Sequence, residues 1–179
     1  NTNETRTRKG YRLSSAPNLL TPLEIDSALH TETFGRHVVY LESTQSTNEE
    51  AKKIAREGAE EGTIVVAEEQ ITGHGRLARG FYSHFAKGIW FSLILRPKFF
   101  PMEASKCTLL AAVGVCRGIR RMGLADAGIK WPNDILVHGK KLVGILTLMS
   151  ASMEKIDYII MGIGINTGIK KNEFPEDFR

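Results

Sequence analysis

Apolar positions recur along this chain with two different periods, and the changes of period mark its elements. Residues 1–13 read as a polar arm closing in a short strand at 10–13, and the turn-rich 14–22 leads into one or two helical turns over 22–29. Val38-Val39-Tyr40-Leu41 is a β-prone run, so 38–42 is expected as a strand. Residues 46–58 are expected as a helix: Ser46 with Glu49, and Thr47 with Glu50, fit a capping box, and Gly58 can end it. The β-branched 63–67 reads as a buried strand, 68–81 as a long glycine- and charge-bearing loop, and 89–95 as a strand closed by Arg96-Pro97.

In 103–122 the period lengthens again, with Cys107, Leu110, Val113 and Ile119 at helical spacing and Gly123 as terminator. Ile129-Lys130 begins a strand that Pro132 interrupts. Residues 135–137 and 142–149 flank the turn His138-Gly139-Lys140 as a hairpin, and 156–165 is a last strand before a polar, proline-containing close. Helices do not alternate strictly with strands. The expected class is therefore α+β, a mixed β-sheet flanked by helices, with the helices gathered on one side.

Length and composition narrow this little further. A chain of 179 residues, 42% hydrophobic and 25% charged, suits one globular domain, and excludes a disordered chain or a disulfide-stapled miniprotein. No run approaches the roughly 20 apolar residues of a membrane span. The start at Asn1 shows no leader pattern and points to a processed or cut-down chain. Charge changes the picture more. Residues 1–12 carry Arg6, Arg8, Lys9 and Arg12 against Glu4, leaving only +1 of the formal +4 for the remainder. The arm is a solvated tail or a nucleic-acid contact; the bulk of the chain is near neutral. On one helix Cys107 and Cys116 would lie about 13 Å apart, too far for a disulfide, and free thiols fit a cytoplasmic setting. The five histidines show no metal-ligand spacing.

Four stretches could carry chemistry, each with a bland alternative. Gly73-His74-Gly75-Arg76, with Arg79 beyond, lets backbone and guanidinium groups approach an anion, or is merely a turning loop. Lys130-Trp131-Pro132-Asn133-Asp134 either places a lysine to offset charge on a carboxylate or phosphate, or is a strand end where Lys130 pairs with Asp134. Gly162 and Gly164 on one strand face admit a flat ligand, or another strand, close to the backbone. Ser46-Thr47-Asn48 binds a carbonyl or carboxylate at a helix start, or simply caps it.

The combination is more specific than its parts, and it resembles the biotin protein ligases (biotin–[acetyl-CoA-carboxylase] ligases), including those that double as biotin operon repressors. The matching pieces are Ser46-Thr47-Asn48, Val65-Val66-Ala67-Glu68 with Gln70, Gly73-His74-Gly75-Arg76-Leu77-Ala78-Arg79 and Gly88-Ile89-Trp90-Phe91-Ser92-Leu93. Lys130-Trp131-Pro132-Asn133-Asp134-Ile135-Leu136, Lys141-Leu142-Val143-Gly144-Ile145-Leu146 and Gly162-Ile163-Gly164-Ile165-Asn166 complete the set, over about residues 38–179. Gly10-Tyr11-Arg12-Leu13 is similar to the last wing strand of that family's winged-helix DNA-binding domain.

The resemblance implies a fold like that of class II aminoacyl-tRNA synthetases. It divides the chain into 1–32, a wing remnant plus linker, and 33–179, a catalytic domain lacking its last part and the C-terminal β-barrel. It implies that biotin and MgATP form biotinyl-5′-AMP, whose biotinyl group passes to a lysine of a biotin carboxyl carrier domain. Ser46, Thr47, Asn48 and Gln70 would hold the ureido end of biotin; Gly162 and Gly164 would floor the pocket. Gly73, His74 and Gly75 would line the biotin site too. Arg76 and Lys130 would grip the carboxylate and phosphate as the catalytic residues, and Arg76, Arg79, Trp90, Asn133 and Asn166 would meet ATP. The loop 70–81 would close as a lid. Implied partners are the carrier domain and, through a missing winged helix, operator DNA; a homodimer fits the family, and no membrane or protein-bound metal is implied apart from Mg2+.

Four departures qualify this. His74 replaces the loop's usual first Arg, trading a permanent cation for a mostly neutral ring, which is expected to speed release of the adenylate. Phe81 replaces a usual Trp, Leu148 a common Glu, and the chain stops short at Arg179. Alternatives are a non-catalytic biotin-binding fragment, a nucleic-acid-binding regulator, or a lipoate ligase of related fold.

Overall fold

The computed structural model describes residues 2–6, 10–15, 19–73 and 81–169. Nine strands and three α-helices follow in order among these residues: β1 (Thr2–Arg6), β2 (Gly10–Ser15), α1 (Pro22–Ala28), β3 (Val38–Thr44), α2 (Thr47–Arg56), β4 (Ile64–Gln70), β5 (Gly88–Leu95), α3 (Ser105–Arg121), β6 (Gly128–Lys130), β7 (Asp134–Val137), β8 (Lys140–Ala151) and β9 (Ile156–Asn166), with a 3-10 turn at Pro101–Glu103 before α3. Seven strands form one sheet in the order β3-β4-β5-β9-β8-β7-β6, with β3–β4 parallel and the other pairs antiparallel. The α+β mixed sheet is as expected.

Its helices are not on one side. In antiparallel pairs, residues directly opposite share a face. Register therefore puts Ala67, Trp90, Gly164 and Gly144 on one face, and Val66, Phe91, Ile163 and Ile145 on the other. The first face packs α2, through Ala51 and Ala55 against Val65, Ile94 and Ile160. The second packs α3, through Ala112, Cys116 and Ile119 with Val143, Ile145, Ile159, Met161 and Ile163. The expectation fails because β5 and β9 are apolar at successive positions, and a strand that is apolar on both faces needs cover on both.

The polar arm also needs correction: Thr2–Arg6 is a strand, paired antiparallel with β2. Five polar residues carry no apolar alternation, so the strand is defined by its partner. Further on, Glu68 is fully buried in β4, and its Oε1 accepts the Leu20 N–H at 2.6 Å, tying the segment before α1 to the sheet.

Helix ends follow local chemistry. Glycines with positive φ, Gly58 at +99° and Gly123 at +101°, follow α2 and α3 as expected. Arg96, just after β5, donates to the carbonyls of Ala55 and Ala59 around the C-terminal end of α2. His138 and Gly139, both at positive φ, make the two-residue turn between β7 and β8. Cys107 and Cys116 are free, buried thiols, and burial raises the Cys107 pKa.

Candidate active site

A cavity of about 50 Å³ opens where the start of α2 meets β4, β8 and β9. Ser46, Thr47, Asn48 and Gln70 form its polar end; Gly144, Gly162 and Gly164 form its floor. On β9 the α2 face reads Ile160, Gly162, Gly164 while the opposite face stays aliphatic, so side chains stop where the cavity begins. The gap is filled from above. A Cβ on Gly162 would lie 2.3 Å from Asn48 Oδ1, and one on Gly164 would lie 2.6 Å from the Phe81 ring. Neither neighbour could sit there over any residue but glycine.

The polar end is not capped as the sequence pattern implied. Ser46 takes the N-cap position of α2, yet its side chain makes no capping hydrogen bond and lines the cavity instead. The cap comes from β4: Gln70 Oε1 accepts the Thr47 N–H at 2.9 Å and its hydroxyl at 3.0 Å. Gln70 Nε2 then donates to Ser83 Oγ at 3.0 Å. Ser92, fully buried on β5, places its hydroxyl 2.8 Å from Thr47 Oγ1. The Phe81 N–H donates to the Gly73 carbonyl at 2.6 Å.

One cation reaches this cavity among the described residues, and it is Lys141 on β8. Its Nζ pairs with Asp134 Oδ1 at 2.9 Å, and its chain passes over Gly144, where a Cβ would lie 3.2 Å from Cε. Asn133 Nδ2 donates to the Ile145 carbonyl at 3.1 Å and to Asp134 Oδ1 at 3.2 Å. Asn133, Ile145 and Leu146 also line a second groove of about 320 Å³, shared with Trp131 and the start of α3.

A polar end, a glycine floor under a displaceable Phe81 ring and a lysine at the other end make a seat for a flat molecule with a hydrogen-bonding head and an anionic tail. The family model for the biotin/lipoate A/B protein ligases matches residues 40–166. The chain belongs to that family. The bifunctional ligase/repressor BirA of Bacillus subtilis is 45% identical over 172 residues, covering 96% of this chain and 53% of its own. The biotin–[acetyl-CoA-carboxylase] ligase of Paracoccus denitrificans is 36% identical over 131 residues, 70% of this chain and 52% of its own. The biotin protein ligase from Aquifex aeolicus, solved in complex with biotin and ATP, superposes with a TM-score of 0.62 at 31% identity, covering 80% of this chain and 56% of that one. The chain thus spans about half the length of the curated relatives it matches.

Within this member of the ligase family, Ser46, Thr47, Asn48, Gln70, Asn133, Gly162 and Gly164 gather at one cavity. Gly73 is buried beside it, where a Cβ would lie 2.5 Å from the Phe81 carbonyl. Others named from the sequence are not among its lining residues. Lys130 is exposed on the edge strand β6, and through the opposed pairs Lys130–Asp134, Asp134–Gly144 and Gly144–Gly164 it stands on the same face of the sheet as the glycine floor. Trp90 is fully buried, its Nε1 unpartnered among the described residues, and Asn166 at the end of β9 likewise holds a buried, unpartnered Oδ1. His74, Gly75, Arg76 and Arg79 lie outside the described residues. Lys141, Phe81 and Ser92 are cavity or supporting residues that the sequence reading left without a role. No motif marks Lys141 or Ser92 in the sequence: one is the second of two adjacent lysines, the other a single hydroxyl in an apolar strand.

Proposed function

We propose that this chain carries the biotin-activating part of a biotin protein ligase, which forms biotinyl-5′-AMP from biotin and MgATP and passes biotin to a lysine of a carrier domain. The observation that carries the reading is the cavity itself, with four polar residues at one end, glycines beneath and Lys141 at the other. Ser46, Thr47, Asn48 and Gln70 take the ureido head, and the glycine floor takes the bicyclic ring. Lys130 of the family motif offsets the carboxylate and then the phosphate charge, since the opposed pairs Lys130–Asp134, Asp134–Gly144 and Gly144–Gly164 put it on the sheet face that carries the cavity floor, with Lys141 beside it. Arg76 joins it from the loop, as the family motif implies. The carboxylate oxygen attacks the α-phosphorus and pyrophosphate leaves; the carrier lysine amine then attacks the acyl carbon, losing a proton as AMP departs. Mg2+ arrives on the ATP phosphates, as a hard cation that keeps most of its water and binds through phosphate oxygens.

Residues 1–32, with the β1–β2 hairpin, fit the end of a winged helix and its linker, and the whole protein would add operator binding. That reading draws on the ligase/repressor name of relatives. Among the described residues no helix is long and apolar enough to cross a membrane.

Mass spectrometry of a quenched mixture of the chain with biotin and MgATP tests the proposal. Biotinyl-5′-AMP is the expected product. Biotin binding without adenylate would instead support a non-catalytic fragment, and adenylation of lipoate in preference to biotin would overturn the substrate.

A further inference from the structure

Three oxygen–oxygen contacts meet beneath the polar end of the cavity. Ser92 Oγ lies 2.8 Å from Thr47 Oγ1 and 2.6 Å from Asn48 Oδ1, and Thr47 Oγ1 lies 3.0 Å from Gln70 Oε1. Each contact needs a proton between its oxygens, yet the two hydroxyls bring only two. The third must come from a side-chain amide. Gln70 cannot supply it, because a backbone N–H only donates and the Thr47 N–H points at Gln70 Oε1 from 2.9 Å. That atom is fixed as an acceptor, and Gln70 Nε2 is engaged with Ser83.

Asn48 remains. A half-turn of its amide exchanges Oδ1 and Nδ2 without changing its shape. Nδ2 then donates to Ser92 Oγ, Ser92 donates to Thr47 Oγ1, and Thr47 donates to Gln70 Oε1. Every contact in the chain is satisfied. The other amide atom of Asn48, which borders the cavity, becomes the carbonyl oxygen. We infer that Ser92 is a specificity-determining positioning residue: by demanding a donor from Asn48, it turns the Asn48 carbonyl oxygen towards the ligand, so that the cavity reads a ligand N–H.

The class of ligand follows from that polarity. A cyclic urea offers N–H donors on both sides of its carbonyl, whereas a cyclic carbamate has a ring oxygen at one of those places and a cyclic carbonate at both, and such an oxygen would meet the Asn48 oxygen lone pair to lone pair. Ser92 is fully buried, so no water replaces its hydroxyl if it is removed. Alanine there frees the Asn48 amide to turn either way.

The inference rests on the biotin reading only for its choice of probes. Calorimetry would compare biotin with the two cyclic carbamate analogues in which one ring N–H is an oxygen. The wild-type protein is expected to favour biotin over one of them by on the order of 100-fold, the cost of one unpaired buried acceptor. Ser92→Ala is expected to reduce that ratio to about tenfold or less, while binding of biotin itself weakens less than the ratio falls. An unchanged ratio with both affinities falling together overturns the assignment, since a merely structural role would act on both ligands alike. Neutron diffraction on the free wild-type protein decides without any ligand or variant. Nitrogen and deuterium facing Ser92 Oγ support the inference; oxygen facing it overturns it. Should the wild-type protein bind neither probe, the biotin reading fails and the neutron map alone judges Ser92.

Discussion

The two faces of the central sheet are built from the same strands and obey different rules. On the α3 face, Val143, Ile145, Ile159, Met161 and Ile163 form a continuous aliphatic layer against the helix. On the α2 face the layer begins in the same way, with Val65, Ile94 and Ile160, and then gives way to glycines, buried hydroxyls and amides. Burying Ser46, Thr47, Asn48 and Ser92 where aliphatic side chains would fit gives up packing, and buried polar groups hold only if each finds a partner. A fold needing only stability would repeat the α3 face on both sides. The difference locates the site before any ligand is considered.

The comparison can be broken most sharply with the two lysines. Lys130→Ala is expected to cut adenylate formation by about 10³-fold, the upper range for one electrostatic contact to developing charge, with thermal stability nearly unchanged. Lys141→Ala is expected to cost less, about tenfold, because its ammonium is already paired with Asp134. Quenched-flow assays with mass detection measure both, and a reversed order would give the catalytic role to Lys141.

On the α3 face the expected loss is of stability alone. Ile159→Ala should cost about 3 kcal/mol in denaturant unfolding, because the side chain is fully buried, and leave the KM for biotin within about twofold. Gly162→Ala should cost roughly 1–2 kcal/mol, less than Ile159→Ala, since the added methyl meets a side chain that can shift. It displaces Asn48, however, so biotin affinity should fall at least tenfold by calorimetry. If the glycine variant bound biotin normally, the floor would be packing rather than function.

The smallest effect concerns pH. Burial, and then the charge of Glu68, raise the Tyr40 phenol above its ordinary value of 10.0. The folded state therefore favours the neutral phenol. That contribution is complete below pH 10, where both states are protonated, and is lost as pH rises through the folded value. Thermal melts should show a slight extra fall in midpoint above pH 10, absent in Tyr40→Phe.

Much of the architecture was readable because periodicity and glycine placement agree. α3 has helical spacing and Gly123 behind it, and the β7–β8 turn has two residues able to take positive φ. β1 was not readable, because Thr2–Arg6 has no apolar face and becomes a strand only through β2. The two-sided cover of the sheet was written in the unbroken apolar run Tyr158-Ile159-Ile160-Met161, whose meaning depends on counting both faces. The polar end of the site was legible as Ser46-Thr47-Asn48 with Gln70. Lys141 was not, since a register shift between Ile135 and Leu136 decides where β8 side chains stand relative to β7. No residue type announces that shift. Ser92 needed distances, for only three dimensions bring its hydroxyl to two side chains 44 and 45 positions away.

The Phe81 ring on the glycine floor has a thermodynamic consequence. The ring already covers Gly144 and Gly164, so a bicyclic ligand that takes its place exchanges one apolar surface for another instead of releasing water from bare backbone. Heat capacity registers water released from apolar surface. Binding should then show a smaller negative ΔCp than the contact area of the ligand suggests, with its favourable part expressed as enthalpy from the polar end. Phe81 thus acts as a stand-in ligand, and the affinity of the site measures how much better the real one fits.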